Sequence, residues 1–444
     1  MKMLLISYHY PPMGGAGVQR ALKFSKYLRD FGIEPVVLSG SDPAYTQDPS
    51  LLADVPADLH VRRVPYTPLV QRLLSRRDAA AASAASAPRP AAPESPWRRR
   101  LRDAALAGHA ALSFPDDRAG WARRAYQPAR KLLRDERIEL IFSTAPPMSA
   151  HGLAARLAQA SGLPWVADYR DLWTDNPGYT APAWRGAFDR RTESQWLRRA
   201  AGVVTVTPSW RRQFEQRLGM ACPVAFIPNG YDEADFTALA PAPRTDTAFR
   251  LVHTGSFYGP RDPGTLLEGV ALYLRNAVPG ARPLVLRLVG NMGSRFGGLL
   301  AQFEAQHPGV IEHRPYVPHH QALAEMLAAD ALLLVVGAGQ GTRHGAVVAG
   351  MLPGKIFEYL RAARPILLLG DEQGDAAQIV REHGAGWVAD ETRPERIAQA
   401  LRQMMQPGTA PVARPQAQIA RFERRALTAE LAQFLRRCKG GPHV

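Results

Sequence analysis

Apolar residues along the chain cluster in short runs, and between the runs they return every three or four positions among polar and charged ones. The runs predict strands, and the intervening periodicity predicts helices. In the first half the strand runs are Met3 to Ser7, Val36 to Ser39, Leu140 to Ser143, Trp165 to Asp168 and Val203 to Val206. The pattern restarts with Arg250 to Thr254, Val285 to Val289, Ala331 to Val336, Ile366 to Leu369 and Trp387 to Ala389. Strands that alternate with helices favour a parallel sheet covered by helices, so the chain reads as α/β with two such domains. Residues 1–234 make the first expected domain and 248–412 the second, and Asp235 to Thr247, with prolines and no periodicity, reads as the linker. In the last segment, 413–444, Ile419 to Leu435 reads as a helix.

The length of 444 residues supports two cores rather than one. With 46% hydrophobic and 21% charged residues the composition is globular, and no apolar run approaches the roughly 20 residues that cross a bilayer. Cys222 and Cys438 give neither a disulfide framework nor a cysteine zinc site. Met1 to Ser7 is too short for a signal peptide, so a cytoplasmic location is expected. A net charge of +15 and a pI near 10.2 call for an anionic partner: nucleic acid, a membrane surface or a phosphorylated substrate. The chain has no helix-turn-helix, zinc-finger or RNA-recognition pattern, so nucleic acid is not expected.

Asp78 to Pro96 is mostly Ala, Ser and Pro and reads as a disordered insertion. Directly after it, Trp97-Arg98-Arg99-Arg100-Leu101-Arg102 opens a helical stretch with Trp97, Leu101, Ala104, Ala105 and Leu112 on one face and basic residues beside them. Two readings stand: a face for an anionic membrane surface, peripheral at the inner side of the membrane, or a solvated basic helix packed on its own domain.

Two loops carry candidate phosphate chemistry. Pro353 and Gly354 punctuate the chain before a short helix over Lys355 to Ala363, and a helix N-terminus offers unpaired N–H groups to a diphosphate. Glu358 follows one turn later, where its carboxylate can accept hydrogen bonds from a ribose diol while Lys355 neutralises phosphate charge. An ordinary capped helix with solvated Lys and Glu is the alternative. The first strand likewise runs into Gly14-Gly15-Ala16-Gly17 before a helix, although the spacing departs from the dinucleotide fingerprint. Asp168, Arg170 and Asp171 stand just past a strand, either to orient or deprotonate an acceptor hydroxyl or as a structural ion pair beside Trp173. His151, after Ser143-Thr144-Ala145-Pro146-Pro147, is a further candidate for a cleft.

The series Ile6-Ser7-Tyr8-His9-Tyr10-Pro11-Pro12 with Gly14-Gly15-Ala16-Gly17, Val166-Ala167-Asp168-Tyr169-Arg170-Asp171-Leu172-Trp173, Pro228-Asn229-Gly230-Tyr231-Asp232 and Pro353-Gly354-Lys355-Ile356-Phe357-Glu358-Tyr359 resembles the family 4 retaining glycosyltransferases. The resemblance implies a GT-B fold, two Rossmann-like domains facing a central cleft, with no metal or other cofactor. It implies a nucleotide-sugar donor on the C-terminal domain, a glycan or lipid-linked acceptor on the N-terminal one, and a last helix that crosses back to the first domain. Residue by residue, Glu358 matches the ribose-binding Glu, and Gly14 and Gly15, with Gly17 beyond them, match the loop near the donor phosphates. Thr254-Gly255-Ser256-Phe257-Tyr258 resembles the first turn of the C-terminal domain, and Arg261 stands where a diphosphate-binding cation is common.

Two departures accompany the match. The family often has a Glu eight positions before the ribose-binding one, where this chain has Gly350, and a His where Arg170 stands. Backbone amides of Gly350 to Gly354, or Arg343 and His344 in the preceding loop, are the candidates to replace the missing contacts. The expected function is sugar transfer with retention in cell-surface polysaccharide or glycolipid synthesis. A sugar-nucleotide epimerase of the same fold and a catalytically silent nucleotide-sugar-binding scaffold are the alternatives.

Overall fold

A computed structural model of the chain describes residues 1–68, 97, 113–176, 178–179, 181–218, 222–237, 239, 241, 246–257, 262–277, 280–337, 349–406 and 416–440. The expected insertion at 78–96, the basic run Arg98 to Arg102, and the candidates Arg261, Arg343 and His344 lie outside the described residues. The chain divides into two compact units, one of residues 1–205, 213–227 and 428–444 and the other of residues 206–212 and 228–427.

The first unit is built on β1 (Lys2–Ser7), β2 (Glu34–Ser41), β3 (Val61–Pro65), β4 (Leu140–Ala145), β5 (Trp165–Tyr169), β6 (Gly202–Thr205) and β7 (Val224–Phe226). All pair in parallel, in the order β3-β2-β1-β4-β5-β6-β7. Parallel strands need crossover helices that cover both faces, so the central strands are apolar without alternation. Met3, Leu4, Leu5 and Ile6 are accordingly all fully buried, as are Leu140, Ile141 and Phe142. The Ala16–Tyr27 helix buries Val18, Ala21, Leu22 and Phe24, the helical spacing visible in the sequence.

The second unit carries β8 (Phe249–Thr254), β9 (Leu284–Val289), β10 (Ile311–Arg314), β11 (Ala331–Val335), β12 (Ile366–Leu369) and β13 (Gly386–Ala389), again parallel, in the order β10-β9-β8-β11-β12-β13. Its core lies on both faces of the sheet. Along β11, Ala331, Leu333 and Val335 enter one apolar cluster while Leu332 and Leu334 enter the other, as the two-residue period of a strand requires. Each fully buried Leu of this kind is worth about 1.5–3 kcal/mol relative to exposure.

Three strands depart from the sequence expectation. β3, β7 and β10 were not expected, and all three are edge strands. The expected linker begins inside a helix, Glu233–Thr237. The expected last helix also starts later, at Arg424, because Ala420–Phe422 forms a 3₁₀ turn. That turn is fixed by a parallel bridge in which Tyr231 N donates to Phe422 O at 3.1 Å and Arg424 N donates to Tyr231 O at 2.8 Å. Residues of this helix through Leu427 belong to the second unit and those from Thr428 to the first. Among the described residues no helix is long and apolar enough to cross a membrane.

Candidate functional site

In the second unit the site is built from the Lys355–Ala362 helix upward. Ile356, Phe357, Tyr359 and Leu360 are buried in the core, which leaves Lys355, Glu358 and Arg361 along the opposite stripe at a spacing of three. The Tyr359 hydroxyl pins this helix to the sheet: it accepts from Thr254 N at 3.2 Å and donates to Leu333 O at 3.3 Å. Arg361 anchors the far end through Nε to Glu233 Oε2 at 2.7 Å.

This anchoring brings Lys355 to the carboxyl end of β8, where ligands of open α/β sheets bind. Its ammonium donates to the Thr254 carbonyl and lies against Gly255, whose φ of +131° favours glycine. A Cβ on Gly255 would lie 2.2 Å from Lys355 Nζ, so the missing side chain is what admits the ammonium. Gly354, at the helix start, backs onto Asn229, 3.4 Å from where its Cβ would be. Glu358 accepts a hydrogen bond from His319 Nε2 at 2.9 Å. Gly255, about a hundred residues earlier in sequence, therefore meets Lys355 at the start of the helix that carries Gly354 and Glu358, all within one unit.

Gly350 has a steric reason. A Cβ there would fall 2.4 Å from Nε1 of the buried Trp210, so the indole fills the space that the family's Glu side chain would need. Ser209, beside Trp210, is held by Asp375, which accepts from its N at 3.1 Å and from its Oγ at 2.8 Å.

The first unit corrects two candidates. Asp168 is fully buried and chelated by Arg20, with Nε at 2.9 Å and Nη2 at 2.7 Å, and it also accepts from Thr144 Oγ1 at 2.6 Å. Those partners saturate the carboxylate in the core, so it is the structural ion pair, with Arg20 rather than Arg170 as its cation. His151 is equally enclosed, 2.8 Å from Ser143 Oγ and packed on Tyr169 with ring centroids 4.5 Å apart. Burial lowers its pKa to about 3, so it stays neutral in the core and lines no opening. Arg170 donates to the carbonyls of Ala145, Pro146 and Gly17, fastening the end of the glycine loop, while Asp171 is exposed beside it. Gly14 N donates to Thr46 O at 2.8 Å, and Gly15, at φ +87°, opens the Ala16–Tyr27 helix.

The first unit also holds a pocket of about 470 Å³ lined by His9, Tyr45, Asp116, Asp117, Arg118 and Trp173, with Tyr179 and the Pro146-Pro147 turn. Sequence reasoning did not bring these side chains together. Asp116 to Arg118, Tyr45 and Tyr179 belong to no motif, whereas His9, Trp173 and the Pro146-Pro147 turn stood inside quoted ones.

Residues 84–235 match the model of Glycosyltransferase Family 4, a span that includes the Asp168 to Trp173 and Pro228 to Asp232 motifs. No curated protein matches the chain. Among solved structures the chain resembles Anabaena Alr3699/HepE in complex with UDP and glucose, at 15% identity and TM-score 0.62, with 98% of this chain and 99% of that one covered. It also resembles an α,α-trehalose-phosphate synthase (UDP-forming) from Burkholderia xenovorans in complex with glucose-6-phosphate, at 11% identity and TM-score 0.61, over 98% and 100% of the two chains. A UDP-GlcNAc 2-epimerase from Methanocaldococcus jannaschii is similar at 10% identity and TM-score 0.53, over 98% and 99%. At such identities the likeness is one of fold, and it agrees with two parallel α/β units. The family 4 glycosyltransferase match over residues 84–235 thus lies within a chain whose fold is GT-B, in agreement with the motif order.

Proposed function

We propose that the chain moves a sugar from a nucleotide diphosphate sugar to a glycan or lipid-linked acceptor, with retention at the anomeric carbon, in cell-surface polysaccharide or glycolipid synthesis. The observation that carries this reading is the placing of the Lys355 ammonium against Gly255, with Glu358 one helical turn away. A diphosphate needs a fixed cation and close backbone approach, and a ribose needs a carboxylate acceptor beyond it. HepE, solved with UDP and glucose, supports a nucleotide sugar as the donor class.

In the reaction the anomeric carbon–oxygen bond to the diphosphate breaks and a bond to the acceptor oxygen forms. The acceptor hydroxyl proton passes to a diphosphate oxygen. Negative charge grows on the leaving group, so positive charge held there in advance, on Lys355 and the amides at the helix start, lowers the barrier without a metal. Attachment to an anionic membrane would rest on Arg98, Arg99, Arg100 and Arg102, and liposome sedimentation of a variant lacking those charges tests it.

The fold shared with the epimerase supports a second reading, in which the donor alone is isomerised. Release of nucleoside diphosphate that requires acceptor supports transfer, isomerised donor without acceptor supports the epimerase, and binding without product supports a silent scaffold.

A further inference from the structure

The helices that lead into β4, β5 and β6 are Ala119–Asp135, Ser149–Ser161 and Ala183–Leu197. β3, β4, β5 and β6 follow one another in a single direction across the sheet, so right-handed crossovers set these helices on the same face. They form one layer. The Arg156 guanidinium lies 3.8 Å over the Tyr126 ring, a Cβ on Gly152 would fall 3.1 Å from the Trp196 indole, and Arg199 Nη1 donates to Gln159 Oε1 at 2.7 Å.

The layer sorts its charges by sign. Trp121, Ala125, Ala129 and Leu132 turn one stripe of the first helix into the core, and Arg123, Arg130, Lys131 and Arg134 are exposed on the other side. Arg156 is exposed on the second helix, and Arg191, Arg198 and Arg199 on the third and just past its end. Among the described residues none of these exposed cations pairs with a carboxylate. The acids of the same helices go the other way: Asp189 and Glu193 are buried and held by Arg185 at 2.6 Å and Arg217 at 2.7 Å, which leaves Asp135 as their exposed carboxylate. Unpaired like charges repel, so a face of one sign is a cost until an anionic partner covers it.

The start of the third helix adds a second feature. Trp184 is 64% exposed and Phe188 51% exposed, neighbours at a spacing of four, with Phe188 edge-on to Phe114 at 5.0 Å. Phosphate groups alone do not call for exposed rings. A bilayer surface takes both, with cations at the headgroups and aromatic rings at the boundary with the acyl chains. Nucleic acid also combines phosphates with stacked rings, but along a groove that tracks one strand, whereas these cations spread over three helix faces.

We propose that the outer face of this layer docks on an anionic bilayer surface, its cations on the headgroup phosphates and Trp184 and Phe188 inserted beside them, independently of Arg98, Arg99, Arg100 and Arg102. The assignment rests on the reading of a membrane-attached transferase and names the surface that attaches it.

The test uses the full chain and its sedimentation with vesicles of phosphatidylcholine mixed with phosphatidylglycerol, or of phosphatidylcholine alone. The mixed vesicles should bind the protein and the neutral ones about tenfold less or weaker still, and added salt should weaken the binding as it screens the surface. A variant with Arg123, Arg130, Lys131 and Arg134 all changed to Gln should bind the mixed vesicles at least about twentyfold more weakly, since each basic residue near an anionic surface contributes about fivefold. Its melting temperature should be no lower and its nucleotide-sugar thermal shift unchanged. Trp184→Ser with Phe188→Ser should weaken binding about threefold or more and leave the salt dependence in place. Full binding by the Gln variant overturns the proposal, and so does equal binding to neutral vesicles. Duplex DNA bound as tightly as the mixed vesicles, through the same four residues, overturns it as well. A protein that shifts with a nucleotide sugar but leaves the mixed vesicles alone overturns the docking face and spares the transfer reading. One that binds vesicles through this face but no nucleotide sugar supports the face and fails that reading.

Discussion

His319 Nε2 lies 2.9 Å from Glu358 Oε1, and its other ring nitrogen lies 4.0 Å from Asp235 Oδ2. A carboxylate accepts only, so Nε2 carries the proton and fixes the Glu358 rotamer while the remaining lone pairs stay available to a ribose. His319 opens the His319–Ala328 helix and is a positioning residue for Glu358. His319→Ala should lower nucleotide-sugar affinity about 3- to 10-fold, the worth of roughly 1 kcal/mol for one hydrogen bond. His319→Gln, which restores a donor, should recover most of it, and a 2′-deoxyribose donor should feel the Ala change less. Titration calorimetry reads all three, and unchanged affinity in His319→Ala would reject the role.

Gly255 is favoured by its φ of +131°, and a side chain there would push the Lys355 ammonium aside. Gly255→Ala should cost about 1–3 kcal/mol of stability from the strained backbone and abolish donor binding by displacing the ammonium. Adding Lys355→Met should return part of the stability in thermal melts and none of the binding. Wild-type donor affinity in Gly255→Ala would show that the ammonium and diphosphate do not meet there.

The Arg20–Asp168 pair makes the opposite kind of prediction. Removing one partner leaves a buried charge, so Asp168→Ala should destabilise the first unit by about 3–5 kcal/mol and lower its melting temperature before any effect on chemistry. An Asp168→Ala protein with wild-type melting and no activity would return Asp168 to the reaction.

The edge strands show why part of the fold was illegible in the sequence. The inner strands announced themselves as apolar runs because helices cover both faces. β3 reads Val-Arg-Arg-Val-Pro and β10 reads Ile-Glu-His-Arg, because an edge strand tolerates charge that also discourages pairing with other chains. The three residues of β7 give no period at all. At the site, Lys355 and Glu358 were legible through their turn-and-helix context. Gly255, about a hundred residues earlier, was legible only through the family resemblance of its turn, and His319, one of two adjacent histidines at a helix start, was not legible at all. The Asp168 to Asp171 cluster misled for a related reason, since its counter-ion, Arg20, sits far away on the first helix and leaves no local signal.

His151 supplies a pH dependence. Its folded pKa, about 3, lies below the unfolded value near 6.5, so between those limits the unfolded chain binds the proton and the folded one does not. Stability is therefore full above about pH 6.5 and falls with acid, by up to about 1.4 kcal/mol per pH unit for this group. Urea unfolding followed by tryptophan fluorescence between pH 7.5 and 5.5 should show that slope, and His151→Gln should be flatter by this share. An equal slope in the variant would mean that His151 is protonated in the fold.

The central claim is that the second unit binds a nucleotide sugar through Lys355 and Glu358. Thermal melts of the purified protein with UDP-, GDP-, ADP- and dTDP-sugars test it most directly, because a ligand bound only by the folded state raises the melting temperature. The account predicts a shift selective for one nucleotide that disappears in Glu358→Ala; a shift equally large in that variant, or none with any nucleotide sugar, would contradict it.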